Sequence, residues 1–232
     1  MAQLVPFDSP FYPYERDQTG YLTYRGWEDI PYKVITYLLD LPDANGYQPV
    51  DDNNRPRVRL AKYLWYDGAR PLAQPLPTPA QKRSMLFDPD TPVLNTDEQK
   101  AKHPVGYRIF PQNSISQSQL NAEAIMYCYI GRDTPYDNFH SRTALIFEFW
   151  VNTNYAANTK TLHYTRLDAI EQALKESLIG VNIGGVGTIQ YSQRFHPDCG
   201  SRTLWDNHTN AGRELTLAFM WAESGPDDGR SY

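Results

Sequence analysis

The chain has 232 residues, with 22 Lys and Arg against 27 Asp and Glu and a formal net charge of -5 at pH 7. At a pI near 5.5 it lacks the basic balance of a general nucleic-acid binder, although local basic patches stay open. The length suffices for a substantial core, while a hydrophobic share of 41% and a mean hydropathy of -0.61 assign much of the chain to polar loops or arms.

Eighteen prolines and seventeen tyrosines exceed ordinary usage, and tyrosine in excess suits repeated protein contacts as well as half-buried core positions. Cys128 and Cys199 make no disulfide framework and are expected as reduced thiols. Neither a signal peptide nor an apolar run long enough to span a membrane is present, so no membrane partner is expected.

Residues 1–27 interleave Pro6, Pro10 and Pro13 with Phe7, Phe11, Tyr12, Tyr14, Tyr21, Tyr24 and Trp27. Proline blocks helix and central strand while the aromatics need burial, so the segment reads as an extended arm lying on another surface. That surface is either its own domain or a neighbouring subunit, and Phe7, Phe11, Tyr12, Tyr14 and Tyr21 are its candidate contacts. Residues 28–232 read as a single α+β domain.

Glu28 to Leu41 has Pro31 near its start and Ile30, Val34, Leu38 and Leu41 at helical spacing, stopping at Pro42. Arg57 to Tyr66 repeats the pattern with Val58, Ala61, Leu64 and Trp65. Arg55, Arg57, Arg59 and Lys62 crowd this second helix, either as a solvated face or as a contact for an acidic partner or for phosphates. The next stretch, about 70–111, carries Pro71, Pro75, Pro77, Pro79, Pro89, Pro92 and Pro104. It reads as a long loop wrapped over the fold, with a helical turn at Thr96 to Lys102.

The remaining elements are strands around one helix. Glu123 to Ile130 and Thr143 to Val151 alternate as strands, the second with Leu145, Phe147, Phe149 and Val151 on one face and only Glu148 charged. Thr165 to Ile179 switches period, placing Leu167, Ile170, Leu174 and Leu178 on one helical face. Thr165 and Asp168 form a capping-box pattern, and Gly180 offers a left-handed stop. Val186 to Phe195 and Glu214 to Ala222 complete the set, giving a mixed or antiparallel sheet with a helix laid across it.

Chemistry-bearing patterns are sparse. His196, Cys199 and His208 match no structural zinc spacing, so no metal or other cofactor is expected. Gly184-Gly185-Val186-Gly187 precedes a strand rather than a helix, unlike a phosphate loop. The pairs Asp51 with Asp52 and Asp88 with Asp90 sit among prolines as ordinary surface acids, and Cys128 lies in an apolar strand where a thiol is inert. An enzyme would need a pocket with converging polar groups, and the sequence points to none.

From His140 to Glu223 the order TALIFEFWV, NTNYAANTKTLHY, YTRLDAIEQAL, GTIQYSQRF and RELTLAFMW resembles the tail-completion, or tail-terminator, class of tailed-phage virion proteins. The resemblance implies a structural subunit without enzymatic activity, made in the infected cell's cytoplasm and built into the virion. It implies a homo-oligomeric ring, a hexamer, that caps the tail tube, meets the head-tail connector and contacts DNA passing through. The aromatic arm and the Pro-rich segment depart from the smaller members, and a neck, collar or head completion protein shares the pattern. A carbohydrate-binding module is the rival of another class, and it would want a clustered aromatic platform with neighbouring carboxylates and a secretion route.

Overall fold

The computed structural model describes residues 29–41, 49–68, 70–112, 124–137, 140–152, 165–184, 186–205 and 210–222. The expected arm at 1–27 lies outside the described residues. A five-stranded mixed sheet, with helices packed on one face, makes the fold α+β as the periodicities imply.

Two helices open the described chain. Helix α1, Ile30–Leu39, has a proline in its first turn and buries Ile30, Val34, Ile35, Leu38 and Leu39. It ends before Pro42, because Asp40 turns into the left-handed region at φ 50 and donates its N–H to Tyr37 O at 3.1 Å. Helix α2, Pro56–Trp65, also begins on proline and buries Val58, Leu60, Ala61, Leu64 and Trp65.

The Pro-rich segment is a run of loops that carries short elements, the expected helical turn near Thr96 to Lys102 among them. It holds a 3-10 turn at Pro71–Ala73, helix α3 (Pro79–Ser84), helix α4 (Asp97–Lys102) and strand β1 (Ile109–Phe110). Both short helices carry reciprocal capping boxes, Thr78 with Gln81 and Thr96 with Gln99, which satisfy first-turn N–H groups that so few residues could not otherwise serve.

Three buried cations then close the helix ends. Lys82 Nζ donates to Leu39 O at 2.8 Å at the end of α1. Arg108 donates to Leu64 O at 3.1 Å and forks onto Asp67 at 2.6 and 2.8 Å, and Arg166 reaches Tyr66 O at 3.1 Å and Gly68 O. Each occupies the negative end of a helix, where carbonyls lack intrahelical partners.

Strand β1 runs parallel to β2 (Ala124–Pro135), which pairs antiparallel with β3 (His140–Asn152). After β3 come helix α5 (Arg166–Leu178), a small hairpin of β4 (Asn182–Ile183) and β5 (Gly187–Thr188), then β6 (Gly200–Trp205) and β7 (Asn210–Ala222). The sheet order is β1-β2-β3-β7-β6. Register sets Leu145, Phe147 and Thr143 opposite Leu217, Leu215 and Phe219, so the apolar sets of β3 and β7 share the inner face. Helix α5 starts on the expected Thr165–Asp168 box and buries Leu167, Ile170, Leu174 and Leu178 in that core.

One expected strand fails and an unexpected one replaces it. Of Val186 to Phe195, only Gly187–Thr188 pairs as a strand, with β4, and Gln190 adds a single bridge to Ala218. Gly187 sits at φ 98, and beyond Tyr191 the chain turns, with Phe195 and His196 N–H groups donating to Ser192 O at 2.9 and 3.0 Å. The edge position beside β7 is taken instead by β6, whose register places Arg202 opposite Glu214.

Candidate functional site

The basic helix α2 finds its acids within the chain. Arg57 lies 2.8 Å from Asp40 Oδ1 and stacks over the Tyr37 ring at 4.6 Å, and Arg59 pairs with Glu176 of α5. Lys62, only 2% exposed, holds Asp51 Oδ1 at 2.6 Å and Asn53 Oδ1 at 2.9 Å. The Lys62 hydrogen bond keeps the Asp51 carboxyl below its usual range, against some desolvation and helped by the Leu76 N–H. Within the chain, then, Arg57, Arg59 and Lys62 already face Asp40, Glu176 and Asp51. Arg55, which precedes the helix, is exposed. Phe7, Phe11, Tyr12, Tyr14 and Tyr21 lie outside the described residues.

The residues tested for metal or nucleophilic chemistry are bound up in the fold. His196 is fully buried, its Nε2 sits 3.3 Å from Thr134 Oγ1, and its Nδ1 accepts the Asp198 N–H at 3.2 Å. Burial pushes the imidazole below its ordinary value, with Asp198 opposing and Arg132 and Asp133 also facing it. The turn at residues 192–199 thereby straps one end of the sheet's outer face, and Phe195 lies over Arg142 with 5.4 Å between the guanidinium carbon and the ring centre. Burial raises both thiols, Cys128 and Cys199. His208 lies outside the described residues, and among those described no cluster of His, Cys, Asp or Glu could hold a metal.

The opposite edge of the outer face is roofed by the Pro-rich segment, where Phe87, Tyr107 and Phe110 pack with Ile125 and Tyr127. Between roof and strap lies a strip of polar and aromatic side chains, half-buried on β2, β3 and β7 and exposed on β6. On β3 it carries Ile146, Glu148 and Trp150, on β2 Tyr129, on β7 Glu214, and on β6 Arg202. Glu148 accepts the Trp150 indole N–H at 2.7 Å and the Tyr129 hydroxyl at 3.2 Å. Directly across the ladder from it, Glu214 takes Arg202 at 2.6 Å. Burial first, then the charges of Glu148 and Glu214, push the Tyr129 phenol up to about 12.

Sequence reasoning missed this strip. Its signal was the lone carboxylate in each of two strongly apolar strands, Glu148 in TALIFEFWV and Glu214 in RELTLAFMW, which only the register brings side by side.

The comparison that decides the chain's kinship spans this fold. The YomW family matches residues 58–217, more than half of the chain. The chain belongs to the YomW family. YomW is phage-related, and its match runs from α2 through most of β7, so every strand of the sheet contributes to the shared unit. No curated protein matches this YomW chain.

Proposed function

We propose that this chain is a structural protein of a tailed-phage particle, a tail-terminator subunit that closes into a ring, caps the tail tube and joins it to the head-tail connector. The observation that carries the reading is the phage-related YomW match, which takes in β3, α5 and most of β7. The chain's tyrosine and proline excess also suits extended contacts between neighbours, which close into rings when the rotation permits. On this reading the aromatic arm, with Phe7, Phe11, Tyr12, Tyr14 and Tyr21, docks on a neighbouring subunit.

Mass photometry and negative-stain microscopy of the purified chain test the proposal. Rings of a uniform subunit number, six on the tail-terminator reading, are the expected result, and a form starting near Trp27 should stay folded yet lose assembly. A chain that remains monomeric at every concentration, alone and with tail-tube protein, overturns the reading. A ring that binds connector but not tail tube moves the subunit to a neck or head completion role.

A further inference from the structure

We propose that the strip formed by Tyr129, Glu148, Trp150, Glu214 and Arg202 on the outer sheet face is a binding site for a neutral saccharide.

The strip carries an electrostatic cost. Like charges directly opposite on neighbouring strands destabilise a sheet, yet Glu148 and Glu214 face each other across β3 and β7. Trp150, Tyr129 and Arg202 hold these carboxylates in place without neutralising both, since only Arg202 carries a formal positive charge. An expensive arrangement held this firmly is what a site looks like when it departs from the rules of folding.

The aromatic geometry supplies the second half. A Cβ on Gly212 would come within 2.5 to 2.7 Å of three indole atoms of Trp150, so the ring lies flat on the bare backbone of β7. Its Nε1 edge is fixed by Glu148, leaving the ring as a plate on a half-buried strip. A pyranose presents a C–H face that stacks on such a plate and hydroxyls that donate to flanking carboxylates, which accept only. Beside the strip, Tyr127, opposite Glu148 on β2 and 2% exposed, lies under the roof, and its hydroxyl has no hydrogen-bond partner among the described residues. Two carboxylates against one guanidinium select against acidic sugars, so the class is a neutral or N-acetylated oligosaccharide.

The inference does not rest on ring formation, and its test reads binding whatever the oligomeric state. Saturation-transfer NMR and tryptophan fluorescence would be recorded on the full chain with cellohexaose, maltohexaose and chitohexaose, and with polygalacturonate as the acidic control. At least one neutral probe should bind and the acidic polymer should not. Glu148→Gln, nearly identical in shape, should weaken binding tenfold or more, and Trp150→Ala should abolish it, both with native circular dichroism. Should Trp150→Ala unfold, Glu148→Gln alone decides. The proposal is overturned if no neutral probe binds at concentrations up to about 10 mM, where a millimolar site would be filled. Binding left unchanged by Glu148→Gln also overturns it, as does a strip whose variants change only the oligomeric state.

Discussion

On the inner face of the sheet, β3 presents Leu145, Phe147, Phe149 and Val151 to the helices, all fully buried, whereas on the outer face the same strand presents Ile146, Glu148 and Trp150, all half-exposed. The inner face is closed by long amphipathic helices whose packing is almost wholly apolar. Among the described residues the outer face is closed at its margins, by aromatic packing under the Pro-rich roof and by the 192–199 turn, while its middle is held by individual polar bonds. One strand therefore serves two regimes, stability carried by area on one side and geometry carried by hydrogen bonds on the other.

The sharpest way to break this contrast is on the inner side. Leu174 of α5 is 0% exposed within the main core, so Leu174→Ala should cost about 2 to 5 kcal/mol, the range of large-to-small core changes. Urea unfolding checks it. A loss under half a kcal/mol would place that helix face away from the core and undo the inner-face account.

Next in size is the cation that ties the roof to the helices. Arg108, 2% exposed, serves the carbonyls of Leu64 and Val105 as well as Asp67. Arg108→Met keeps the bulk and removes every donor, and the expected loss is about 2 to 3 kcal/mol, set by buried acceptors left short of partners. Lys would not restore it, lacking the planar fork that spans three acceptors.

These two sites also divide what the sequence made legible from what it did not. Leu174 was readable because α5 writes both its period and its cap, with Thr165 and Asp168 forming the observed reciprocal bonds. Arg108 was not, because nothing local says that a cation between Tyr107 and Ile109 will be buried. Its partners are the C-terminal carbonyls of α2, far away in the chain. Strand β6 was hidden for a related reason: Ser201, Arg202 and Thr203 are all exposed, so the edge strand lacks an apolar alternation and exists through its pairing with β7. The expected strand over 186–195 erred the opposite way. Its apolar residues suggested a ladder that Gly187 and the turn at Ser192 interrupt. The basic residues of α2 were correctly seen as a cluster, but the acids that answer Arg57, Arg59 and Lys62 are distant in sequence or sit in a loop.

Acid separates the faces by pH. His196, under the outer strap, has its folded value depressed below 6.5 by burial, so the unfolded chain takes up the proton first. Its contribution is intact above pH 6.5 and is lost as pH falls below it. Between α5 and β7, burial alone would raise the Glu171 carboxyl, but bonds from Lys175 and Arg213 outweigh it and hold it below 4.5. Stability from Glu171 is present above that value and lost as pH falls through the depressed one. Urea midpoints should therefore decline in two stages, the first flattened by His196→Gln and the second by Glu171→Gln. A single decline confined below pH 4.5 would remove His196 from the account.

The smallest effect on stability falls at the strip. Arg202 has a side chain 69% exposed and pairs with Glu214 at 2.6 Å, and exposed ion pairs contribute roughly 0 to 1 kcal/mol because solvent screens them and side-chain ordering opposes them. Arg202→Ala should accordingly shift the urea midpoint by no more than about 0.5 kcal/mol equivalent. It leaves Glu148 and Glu214 opposed without a counter-ion, so any cost it does show should shrink with added salt, which screens the repulsion between the two carboxylates. A salt-independent loss of 2 kcal/mol or more, on the order of a core truncation, would mean that the Arg202 stem packs the outer face as the leucines pack the inner one, and the contrast between the two faces would fail where it is drawn most finely.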